Sequence, residues 1–226
     1  MLRLRSGRTD VALHTLRDAA GPTLLCLHAL RGRAADFAEL APHWPGRVLA
    51  LDFSGHGASD RPRGGSYTPE LLAGDADAAL AHTGNACVLG VGLGAYVALL
   101  LAGGRPSRVQ AAYLLPGAGL EGSRTLPHTL VSGEALRAEV ARLLEAASHR
   151  DAPGFDPMVC ALDADPRPPD YARAHADAAT RLLFGEDGEL RPPWWEMSRE
   201  SAAALRAPSD PRAGLTMLYA SAEATS

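Results

Sequence analysis

The 226-residue sequence contains no lysine, no isoleucine and a single asparagine, Asn85. All 22 basic side chains are therefore arginines. The missing residues have AT-rich codons, which points to a GC-rich, bacterial genome. Arginine abundance alone then carries little functional meaning. Cysteine is also scarce. Cys26, Cys87 and Cys160 lie far apart, each in an apolar run, with no C-x-x-C or other zinc spacing. This excludes a disulfide framework and a zinc module, and leaves buried free thiols in a reducing compartment as the expectation. The eight histidines are scattered, and none forms an i, i+4 pair with another. No metal or other cofactor is expected.

Long apolar runs are lacking too. The longest, "AYVALLLA", is far shorter than the roughly 20 residues that span a bilayer. The N-terminus "MLRLRSGRTD" has no apolar leader segment. The expectation is a cytoplasmic protein with no membrane partner. The formal net charge is −4, with 26 acidic side chains against 22 basic ones, which argues against a nucleic-acid partner.

What is present is an ordinary globular balance, 46% apolar and 21% charged, in a length suited to one α/β domain. Strand-length apolar runs occur at 11–16, 23–30, 47–53, 86–92, 110–117 and 157–163, each bounded by Gly, Pro, Asp or Asn. Helical patterns lie at 34–42, 69–82, 94–103, 133–148, 170–183 and 197–206. Alternation of this kind predicts a mostly parallel sheet with helices on both faces. The expected division is one domain over 1–206, with 121–155 as a small lid insertion. Residues 207–226 would form a C-terminal tail or a last edge element, and "LTMLYA" within them reads as a strand or a docked tail.

The stretch "CVLGVGLGAYVALLLAG" (87–103) reads as strand, tight turn, helix. Gly90, Gly92 and Ala95 fit the dinucleotide fingerprint G-x-G-x-x-G/A. That motif needs an acid closing the next strand, about 20 residues on. Here the next strand ends in Leu115, Pro116 and Gly117, and the first acid is Glu121. The fingerprint should also open the first βαβ unit, yet three predicted strands precede it. The same residues fit G-x-S-x-G, the nucleophile elbow, with Gly92 where the serine would stand.

Upstream, "LLCLHALRGRAADFAEL" and "RVLALDFSGHGASDRP" place His28-Ala29 and Asp52, Gly55, His56, Gly57 and Ser59 at the ends of two strands. With Gly90–Gly94, "RPSRVQAAYLLPG" and "PMVCALDADPRPPDYA", this succession resembles the α/β-hydrolase superfamily from about residue 20 to 185. The resemblance implies an α/β-hydrolase fold with a minimal lid. It places the triad acid at Asp165, the nucleophile at position 92, and the oxyanion or ligand contacts at His28, Ala29, Leu30 and Leu93. Trp194 reads either as an aromatic pocket wall or as packing. The triad histidine should lie in a loop after the last strand. The only histidine after Asp165 is His175, within a helical pattern, where it reads as a packed side chain. "RPPWWEM" stands where the histidine loop is expected.

The functional expectation is a family member without serine-hydrolase activity, binding a small apolar molecule or a protein partner. The alternative is a non-covalent lyase, isomerase or hydrolase using His28, Asp165 and the amides of Leu30 and Leu93. A dinucleotide-binding oxidoreductase is the third reading.

Overall fold

Eight strands form one sheet in the order β1-β2-β4-β3-β5-β6-β7-β8. The computed structural model describes residues 1–64, 67–120, 154–163, 167–186 and 191–223. β1 (Leu2–Ser6) and β2 (Thr9–Arg17) make an antiparallel hairpin, and β2 runs antiparallel to β4 (Val48–Asp52). The remaining pairs are parallel: β3 (Leu24–Leu27) with β4 and with β5 (Ala86–Val91), then β6 (Val109–Leu115), β7 (Leu182–Gly185) and β8 (Ala204–Ala207).

Side chains of alternate residues point to opposite faces of a strand. Leu25, Leu27, Leu49, Leu51 and Val88 enter one core, and Leu24, Cys26, Val48, Ala50, Cys87 and Leu89 enter the other. The first core is covered by α1 (Pro69–Thr83), α2 (Leu93–Gly104), α3 (Pro169–Ala178) and α4 (Pro193–Arg199). The second is covered by two short 3₁₀ turns, Ala34–Phe37 and Ala41–His43, and by α5 (Pro211–Glu223). Every described α-helix but α2 opens on proline, whose fixed φ suits the first helical position. α2 opens instead on Gly92.

The expected mostly parallel sheet, covered on both faces, is the one observed. Several local expectations are corrected. Residues 157–163, expected as a strand, form a 3₁₀ helix, Pro157–Asp163. An Asp156 carboxylate oxygen accepts the Met158 amide at 3.0 Å, a local cap that competes with strand pairing. The 34–42 pattern yields two 3₁₀ turns rather than one helix. The 170–183 pattern divides into α3 and the buried strand β7. The 197–206 pattern is the end of α4 followed by β8. "LTMLYA" lies in α5, where Leu215, Leu218 and Ala222 bury a helical stripe and an Asp210 carboxylate oxygen accepts the Ala213 amide at 3.1 Å. The helical pattern at 133–148, and all of the expected lid except its last two residues, lie outside the described residues.

Candidate functional site

β5 runs into α2 through Gly92, at φ 55° and ψ −115°. Only glycine adopts this left-handed conformation without penalty. The Gly92 amide donates to the Leu115 carbonyl at 3.0 Å, tying the turn to the end of β6. The chain leaving β6 then folds back over the turn. A Cβ at position 92 would lie 2.5 Å from the Gly117 carbonyl carbon and 2.7 Å from the Ala118 nitrogen, and closer still to the Ala118 oxygen. The space above the turn is therefore filled by backbone.

The Ala118 carbonyl oxygen accepts two hydrogen bonds there, from the Leu93 amide at 2.9 Å and from the Leu30 amide at 3.1 Å. These are the two amides that sequence reasoning assigned to an oxyanion site. Each such bond contributes about 1 kcal/mol net. The segment is anchored further along, where the Leu120 amide donates to the Leu162 carbonyl at 3.0 Å and Trp194 Nε1 donates to the Leu120 carbonyl at 3.3 Å. Leu120 is buried at φ 61°, and Arg31, next to Leu30, sits at φ 66°. These are the described non-glycine residues with left-handed backbone, and both flank the Ala118 contact. Strain of this kind persists where surrounding structure enforces it.

Trp194 is buried, edge-on to Tyr96 at 4.9 Å between ring centroids. With Gly92, Pro116, Gly117 and Gly119 it borders a void of only about 20 Å³, about the space of one water molecule. Its packing role is evident, and the space it walls is almost closed.

His28 and Ala29 directly follow β3 at the same carboxyl edge. The Phe53 amide donates to His28 Nε2 at 3.1 Å, so the proton is on Nδ1, which donates to the Ala29 carbonyl at 2.7 Å. His56, 4.8 Å away between ring centroids, is engaged in the same manner. Its Nε2 accepts the Arg31 amide at 3.3 Å, and its Nδ1–H donates to the Ser54 carbonyl at 3.2 Å. Burial lowers both pKa values, His28 to about 4 and His56 to about 3, with the neighbouring imidazole adding to the shift at His56. Both rings are neutral at pH 7, and both nitrogens of each are occupied by backbone. Beneath them, buried Asp52 accepts the Ala34 amide at 2.7 Å and the Ala58 amide at 2.8 Å, and its Oδ2 lies 2.9 Å from His14 Nε2.

On the other face of β5, the same edge opens into a cleft of about 380 Å³. Its walls are mainly apolar, including Phe37, Leu40, Val91, Leu115 and Pro116, and His28, Ala29 and Ser209 also line it. This cleft joins residues that sequence reasoning did not bring together, because Phe37 and Leu40 precede β4 and Ser209 follows β8.

Asp165 lies outside the described residues. The strand expected to precede it is the 3₁₀ helix, and the residue that follows β7 is Glu186, whose carboxylate faces Arg206 at 3.6 Å. The loop after the last strand, Pro208–Asp210, contains no histidine. "RPPWWEM" contributes α4 rather than a loop. His175 lies on α3 against the far end of α2, roughly 16 Å along the helix from Gly92, with Nδ1 3.0 Å from the Tyr171 carbonyl oxygen. Among the described residues no group of three or more His, Cys, Asp or Glu is placed to hold a metal ion. No helix of the described residues is long and apolar enough to cross a membrane.

Residues 22–181 match the model of the alpha/beta hydrolase fold family. The chain belongs to that family. Solved structures agree across nearly the whole length. The thioesterase domain from the curacin biosynthetic pathway is 17% identical, with 99% of this chain and 97% of that one covered and a TM-score of 0.68. An alpha/beta hydrolase from Sphaerobacter thermophilus is 19% identical, with 97% and 99% covered and a TM-score of 0.66. The bottromycin epimerase BotH, solved with bottromycin A2, is 20% identical, with 100% and 99% covered and a TM-score of 0.60. No curated protein matches the sequence.

Proposed function

We propose that this chain is a non-hydrolytic member of the family that binds a small apolar molecule in the 380 Å³ cleft beside the elbow. One observation carries the reading: the Ala118 carbonyl occupies both the Leu30 and the Leu93 amide and lies over a glycine at the elbow. A serine hydrolase needs a hydroxyl at the tip of this turn and two free donors for the oxyanion. Here the tip has no side chain, and the donors are bound by the chain itself. The absence of histidine from Pro208–Asp210 supports the same reading. The cleft's volume falls in the range of small-molecule sites, and its walls suit an apolar ligand.

The non-covalent alternative draws support from the matched epimerase, since that protein uses the fold for something other than hydrolysis. The groups available for it here weigh against it. His28 has both nitrogens engaged and a pKa near 4, and its partner amides are taken. The dinucleotide reading is weaker again, because the next strand ends without an acid.

The test has two arms. A fluorophosphonate probe should label no serine, and p-nitrophenyl butyrate should not turn over above background. Labelling of any serine overturns the non-hydrolytic reading. N-Phenylnaphthylamine should bind saturably with one site per chain, and absence of saturable binding overturns the ligand reading.

A further inference from the structure

A second, larger cleft of about 990 Å³ lies between the β1–β2 hairpin turn, the loop after β4 and the first turns of α1. Ala12 pairs with Asp52 in the antiparallel ladder, so the hairpin turn at Gly7 and Arg8 continues past the carboxyl end of β4. Ligands of α/β sheets gather at this edge.

The arginines of this chain are mostly committed. Arg3 pairs with Asp60, Arg105 with Asp77, Arg167 with Glu70, and Arg173 with Asp177. Arg8, Arg61 and Arg63 are different. All are exposed, all line this cleft, and none makes a hydrogen bond or ion pair among the described residues.

The carboxylates of the same walls do not cancel them. Asp60 is taken by Arg3, and Glu70 by Arg167. Asp75 is buried and accepts the Ser54 amide at 2.8 Å. Arg5, the remaining cation, is held by Asp10 at 3.0 Å. An uncompensated positive wall thus stands inside a concave site, on a protein whose net charge is −4.

The wall is also held in place. The Asp60 amide donates to the Asp10 carbonyl, and the Gly55 amide to the Asp60 carbonyl, both at 2.9 Å. Pro62 fixes the backbone between the two loop arginines. Guanidinium forks match phosphate oxygens in bidentate geometry, and a pre-ordered set loses less entropy on binding.

We propose that this cleft binds a small molecule carrying two or more phosphate groups. Three forks exceed what one phosphate needs, and the volume accommodates a body beyond the phosphates. The proposal is independent of the apolar cleft.

Isothermal titration with inorganic tripolyphosphate at low ionic strength tests it. One saturable site with Kd below about 1 mM is expected, weakening as salt is added. Arg8→Gln should weaken it about tenfold, and Arg61→Gln with Arg63→Gln about a hundredfold. Arg108→Gln and Arg212→Gln remove arginines whose side chains also make no hydrogen bond or ion pair among the described residues but lie outside the cleft, and should leave binding unchanged. Arg8, Arg61, Arg63 and Arg212 are exposed and Arg108 is partly exposed, and unchanged circular dichroism verifies folding. No saturable binding overturns the proposal. So does equal weakening by the control variants, which would mean diffuse attraction. Leu40→Trp, placed in the apolar cleft, should leave tripolyphosphate binding intact, which separates failure here from failure of the other reading.

Discussion

The carboxyl edge of β5 has two sides, and they are finished differently. Toward α2, the Gly117–Ala118 backbone presses onto Gly92, a carbonyl bridges two amides, and about 20 Å³ remains. Toward the 3₁₀ turns, apolar side chains from five separate segments leave about 380 Å³ open. The closed side is filled by polar backbone satisfying polar backbone, which has a fixed geometry and no tolerance for an added methyl. The open side is bounded by side chains, whose volumes set how much space is left. The contrast shows where a family fold can be altered without losing its frame: the sheet is the same on both sides, and only the covering differs.

The comparison can be broken most forcefully from the closed side. Gly92→Ser adds a Cβ into the Gly117–Ala118 backbone at a left-handed φ, and should destabilise the protein by about 3 kcal/mol or more in urea unfolding. Gly92→Ala should lose as much. p-Nitrophenyl butyrate turnover should not rise in either variant. A stable Gly92→Ser that hydrolyses the ester would show the closed side to be an active site.

A second handle is acid, through the histidines between the two sides. Burial depresses their folded pKa values from 6.5 to about 4 at His28 and about 3 at His56. The unfolded chain therefore binds more protons over that interval, and stability rises with pH there. Their contribution is fully present above about pH 6.5 and is lost as pH falls toward 4, about 3 kcal/mol from His28 alone. Between pH 6 and 5, denaturant midpoints should reveal uptake of up to about two protons on unfolding. Midpoints that do not change across this interval would mean the rings are hydrated and charged.

The smallest expected effect on stability comes from the open side. Leu40→Trp reduces the cleft from its partly exposed rim. Stability should change by less than about 1 kcal/mol, while N-phenylnaphthylamine should bind about tenfold more weakly. Unchanged dye binding would move the apolar site elsewhere.

The central sheet was legible because its strands are buried runs of Val, Leu, Ala and Cys bounded by turn residues. β7 was not, since four apolar residues separated from a helix by only three residues cannot be told from its continuation by periodicity. β1 escaped for the opposite reason: it is an edge strand of alternating leucine and arginine, mostly exposed. The C-terminal helix carried a readable signal in Asp210-Pro211, a capping side chain followed by proline at the first position. At the candidate site, the elbow was legible from its spacing and the two amides were implied by the family resemblance, yet their occupant was not. Nothing local links Ala118 to Leu30 and Leu93. The glycines of "PGAG" signal only that backbone comes close to something.

The contact between positions 92 and 118 works as an evolutionary ratchet. A side chain gained at position 92 has no room until the loop moves, and a loop that moves first leaves two buried donors without an acceptor. Neither step is tolerated alone, so sequence change at this edge has an easier route through the side chains of the open cleft than through the turn.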